Sequence, residues 1–90
     1  MFNKLKNIKD LRDQAKTMQN ALAEESILVE KSGVKIEMNG NMEVTRITID
    51  ENLSTSSLEG ILTEAINEAI KKTQRLMAQK MQAMGGFPGL

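Results

Sequence analysis

The side chains most often used for catalysis are missing from this sequence. Ninety residues contain no His and no Cys, which removes the usual zinc, haem and iron-sulfur ligands together with Ser-His-Asp and Cys-His nucleophiles. Paired carboxylates such as Asp50-Glu51 could in principle move protons, but they stand where a strand ends and a turn is needed. No catalytic residue, metal ligand or cofactor site is therefore expected. What remains for chemistry is charge. Lys and Arg total 12, Asp and Glu total 12, and the formal net charge is zero.

That zero conceals an order along the chain. Residues 1–23 hold Lys4, Lys6, Lys9, Arg12 and Lys16 against Asp10 and Asp13, a net +3. Residues 24–70 hold ten acids against Lys31, Lys35 and Arg46, a net −7, and residues 71–90 hold Lys71, Lys72, Arg75 and Lys80 with no acid, a net +4. Cations late in a helix favour its macrodipole, so the last group has a purely structural explanation. Lys4, Lys6 and Lys9 in the first turns of a helix oppose the dipole by a few tenths of a kcal/mol each. An anionic ligand would compensate for that; a simple solvated helix end is the plainer reading. If the basic segments are the ends of protruding helices, DNA phosphates would meet basic tips around an acidic body.

The elements that position these charges follow from periodicity. Leu5, Ile8, Leu11, Ala15, Met18 and Leu22 recur every three or four residues, which predicts a helix over 3–25 with a heptad-like seam. Period-two, β-branched segments predict strands over 27–31, 34–39 and 42–49. Ser32-Gly33 and Asn39-Gly40 read as two-residue hairpin turns, and Asn-Gly suits a type I′ turn. The parity of apolar residues changes between Met42, Val44 and Ile47, Ile49, which requires a bulge near Thr45-Arg46. Ser56-x-x-Glu59 reads as a capping box opening a helix over 57–84, ended by Gly85-Gly86, with a tail over 85–90.

The expected fold is thus α+β: an αβββα subunit with a three-stranded antiparallel meander and two long helices. A helix of that length outruns a six-residue strand, and its stripe ends in Leu76, Met77, Met81 and Met84. Those four residues are the expected homodimer contact, because a chain this small buries only a modest core. Every apolar run is far shorter than the roughly 20 residues that span a bilayer. The N-terminus lacks the apolar core of a signal peptide. A soluble, cytosolic protein is expected, with no membrane partner and no small-molecule substrate. No recognition helix, zinc finger or aromatic stacking platform points to base readout.

The opening MFNKLKNIKDLRDQAKTMQ, the segment MEVTRITIDENL, the helix LEGILTEAINEAIKKTQ and the ending KMQAMGGFPGL together resemble the YbaB/EbfC nucleoid-associated proteins, in order and over essentially the whole chain. The resemblance implies a homodimer of αβββα subunits with tweezer-like helices. It also implies double-stranded DNA held at or near the helix tips and a regulatory or organising role in the bacterial nucleoid. The residues expected to meet DNA come from the charge split: Lys4, Lys6, Lys9, Arg12, Lys16, Lys71, Lys72, Arg75 and Lys80. The alternative is a dimeric adaptor that docks a protein on the Met-rich helix, since Met adapts to irregular partners.

Overall fold

The computed structural model describes residues 2–83, with side chains from Ile8 onward. The order is α1 (Phe2–Ala23), β1 (Ser26–Lys31), β2 (Val34–Asn39), β3 (Val44–Ile49) and α2 (Thr55–Ala83). The strands form one antiparallel sheet in the order β1-β2-β3. This is the αβββα meander that the alternation of residues implies.

Strand alternation decides which side of the sheet is apolar. Val34, Ile36 and Met38 of β2 lie on one side, opposite Ile27 and Val29 of β1 and Val44, Ile47 and Ile49 of β3. The pairing shifts between Glu37 and Met38, where Arg46 and Val44 are the successive partners and Thr45 is the extra residue. A bulge there is what keeps Val44 on the same side as Ile47. Thr45 Oγ1 donates to the Glu37 carbonyl at 3.1 Å and ties the bulge to β2.

The two hairpins differ. Ser32 and Gly33 both have positive φ, 48° and 90°, as a type I′ turn requires. The second connection is longer than the expected Asn39-Gly40 pair: β3 begins only at Val44, and the left-handed residue is Met42, with φ 62°. Asn39 organises this loop, its Oδ1 accepting from the backbone N–H groups of Asn41 and Glu43 at 2.9 and 3.1 Å. Gly40 serves a different purpose from a turn. Its N–H donates to the Leu22 carbonyl at 2.8 Å, and a Cβ there would stand 2.5 Å from that oxygen. The loop is thereby seated on the end of α1, and Asn41 Nδ2 adds a bond to the Gln19 carbonyl at 3.0 Å.

Helix α2 also starts earlier than Ser56 would place it. Ser54 is the cap: its Oγ accepts from the Ser57 N–H at 3.3 Å, and the Leu58 N–H bonds the Ser54 carbonyl at 2.9 Å. Asp50 shapes the approach, its Oδ1 accepting from the Asn52 N–H at 2.9 Å while the Leu53 N–H reaches its carbonyl at 3.2 Å. The Asp50-Glu51 pair considered for proton transfer thus sits in the turn that delivers Leu53 to the core. Ala65, Ala69 and Thr73, four residues apart, are the buried line of α2. Small side chains let the helix lie close over Val29, Val34, Ile36 and Met38, each worth roughly 1.5–3 kcal/mol when fully buried.

Candidate nucleic-acid interface

Twenty-two helical residues make α1 about 33 Å long and the 29 of α2 make it about 43 Å. The molecule extends 63 Å along its main axis and is only 18 × 17 Å across. Lys31 and Glu64 lie 3.6 Å apart at one end of the sheet, and Lys80 and Glu25 lie 2.6 Å apart at the other. Helix α2 therefore runs antiparallel to β1 and ends beside the root of α1. The remaining length, about 20 Å by helix rise, is α1 standing beyond the body. Burial agrees: Met18 and Leu22 are buried, whereas every residue from Ile8 to Thr17 is exposed.

On this arm, Lys9, Arg12 and Lys16 recur at i, i+3 and i+7. At 3.6 residues per turn they share one flank; Asp13, four residues after Lys9 and three before Lys16, borders it, and Asp10 falls beyond Asp13. None of the three is within an ion pair among the described residues. Lys4 and Lys6 belong to the same helix, but their side chains lie outside the described residues.

The other basic group is not a tip. Lys71, Lys72 and Arg75 bracket Thr73, which is wholly buried, so they sit on the part of α2 that lies over the sheet. With Lys31, Glu64, Asn67 and Glu68 they line a cleft along the β1 edge. Lys80 is occupied by Glu25. The charge split thus resolves into an arm, a cleft beside β1 and a structural tie, where protruding ends of two helices were expected.

The cleft also orients α2. If its charged flank faces the β1 edge, the opposite flank, carrying Ile66, Ile70, Met77 and Met81 by helical spacing, faces the β3 side. There the apolar residues of β3 stand open: Val44, Ile47 and Ile49 are 44%, 43% and 41% exposed. Leu76, Met77 and Met81 are half-buried within the single chain, and Met84 lies outside the described residues. The β3 surface is what reading the sequence missed. Alternation marks those residues as apolar-side, and the short strand against a long helix suggested coverage from end to end, not from edge to edge. Among the described residues no group of His, Cys, Asp and Glu is arranged to hold a metal ion, and no helix is long and apolar enough to cross a membrane.

Comparison with known proteins places this geometry. Residues 1–87 match the YbaB/EbfC DNA-binding family. A nucleoid-associated protein of Anaeromyxobacter dehalogenans is 35% identical, with 93% of this chain and 97% of the relative covered. One from Syntrophobacter fumaroxidans is 29% identical over 99% of this chain and 89% of its own length. In fold, the chain is similar to an uncharacterised protein of Helicobacter pylori with a crystal structure, at TM-score 0.79 and 18% identity over 96% of this chain and 98% of that one. That family is one of DNA-binding proteins and not of enzymes, and on the match of residues 1–87 this chain belongs to the YbaB/EbfC DNA-binding family.

Proposed function

We propose that this protein is a nucleoid-associated factor that binds duplex DNA as a homodimer, with its arms carrying cations to the phosphates. The observation that carries this reading is the flank of Lys9, Arg12 and Lys16 on a helix held clear of an acidic body. Phosphate contacts position a protein on DNA without reading sequence, and a chain with two Phe and no Trp or Tyr has little for base stacking. Discrimination, where it exists, comes from DNA shape. Lys4 and Lys6 extend the arm's charge toward its start, and Lys71, Lys72 and Arg75 offer a second, partly neutralised contact. Lys80 is the weakest of the nine because Glu25 already holds it. The relatives' names, nucleoid-associated protein, support a site of action on the bacterial chromosome in the cytoplasm.

The dimer follows from the open half of the sheet. Val44, Ile47 and Ile49, continued by Ile66, Ile70, Met77 and Met81 of α2, make a surface whose natural cover is the same surface of a second copy. Two arms would then present about six free cations, for which affinity should fall roughly a thousandfold between 50 and 200 mM salt.

The test is a mobility-shift titration of random and AT-rich duplexes across that salt range, with the oligomeric state followed by sedimentation. The variant Lys9→Glu, Arg12→Glu, Lys16→Glu should lose the shift and remain a dimer. An unchanged shift in that variant removes the arm from the DNA contact. A wild-type dimer with no shift even at low salt replaces this reading with the protein adaptor.

A further inference from the structure

The line of α1 that is buried at the root stays open on the arm. Met18 and Leu22 are buried, whereas Ile8 and Leu11, on the same line of the helix, are 62% and 46% exposed. A purely electrostatic arm has no use for two large apolar side chains in water, and such a line marks a contact. Its neighbours on the helix indicate with what. Projected down the axis at about 100° per residue, Leu11, Ala15, Ile8, Arg12, Lys16 and Lys9 follow one another within an arc of about 160°. The apolar line and the free cations therefore meet one surface together, and charge complementarity makes that surface anionic. On the other side of the line stands Gln14, exposed and uncharged. We infer that Ile8 and Leu11 form an apolar wedge that enters the minor groove of duplex DNA, partly unstacks a base step and bends the duplex.

The shape of the arm fits such a contact. An α-helix is about 10–12 Å across and the minor groove about 6 Å wide, so side chains enter where the helix body cannot. Cations stand on one side of the apolar line only. The arm thus grips one backbone strand while Ile8 and Leu11 overlie the groove beside it, whereas a helix sunk in the major groove would meet phosphates on both sides. Ile8 and Leu11 are three residues apart, about 4.5 Å along the axis, so both reach the same short stretch of base pairs stacked about 3.4 Å apart. Ile and Leu are among the side chains that wedge between base steps and kink DNA toward the major groove. Pyrimidine–purine steps unstack most easily, so the wedge selects deformable DNA without a hydrogen bond to any base. This inference rests on DNA binding through the arm, as proposed above.

The test uses the full chain and a short duplex with 2-aminopurine at a central TA step and a donor and an acceptor dye at its ends. Wild type should raise the 2-aminopurine emission about twofold or more, increase energy transfer between the ends, and prefer this duplex about tenfold over one with a central A-tract. Ile8→Ala with Leu11→Ala keeps the helix propensity of the arm and all its cations. That variant should still shift the duplex with the same salt dependence, but leave emission and transfer at the level of free DNA and bind both duplexes equally. Ile8→Met with Leu11→Met should keep the wild-type signals, since Met also wedges. A wild-type shift with emission and transfer unchanged overturns the inference and leaves the DNA-binding reading in place. No wild-type shift at low salt overturns both. An alanine variant that sediments at lower mass than wild type without DNA assigns the line to a second copy, and that too overturns the inference.

Discussion

Strands β1 and β3 flank the same central strand and turn the same kind of side chain to the same side of the sheet. Val29 of β1 is buried under α2, while Ile47, its counterpart across Ile36, is 43% exposed. The difference arises from α2, which lies over β1 and β2 with its charged flank toward the β1 edge. The covered half holds one chain together, and the open half is available for holding two. Apolar alternation identifies a side of a sheet; it does not say whether the same chain or another one supplies the cover.

Substitutions at matched positions can break this contrast. The largest effect should come from Ile36→Ala, which empties a fully buried site under α2 and should cost about 3–4 kcal/mol of folding stability in urea titration. Ile47→Asp should act on the other half alone: sedimentation equilibrium should show dimer association weakened about 100-fold, or roughly 2.7 kcal/mol, with the helical signal retained. If Ile47→Asp instead costs folding stability on the scale of Ile36→Ala, the two halves are one core. The smallest change should be a gain. Thr73 Oγ1 is buried in the covered half with no hydrogen-bond partner among the described residues, so Thr73→Val should raise stability by about 1 kcal/mol.

These contrasts also show what could be read from residues alone. The parity change between Val44 and Ile47 is visible in one dimension, and so the bulge at Thr45 is too. Asn39-Gly40 misleads because a turn signal and a close-contact signal use the same residue; Gly40 lacks a side chain to make room for Leu22, a residue far away in sequence. The run Ser54-Thr55-Ser56-Ser57 offers several residues able to cap a helix, and the choice of Ser54 depends on where the Asp50 turn delivers Leu53. Thr73 goes unread since a hydroxyl does not announce itself as core. The cations of α2 share a sign with those of α1, but the sheet beneath Thr73 keeps them on the body.

The seating of Gly40 on Leu22 has a mechanical consequence. It fixes the root of a lever: one short hydrogen bond and a backbone-to-backbone contact set the pitch of the arm relative to the sheet. With the whole of α1 about 33 Å long, a tilt of about 10° at that seat would sweep its far end by roughly 6 Å. That displacement approaches twice the 3.4 Å step between successive nucleotides of one strand. In the proposed dimer, the span between two such levers, and hence the phosphates within reach at once, would depend on a glycine that lies in the loop between β2 and β3 and carries no charge of its own.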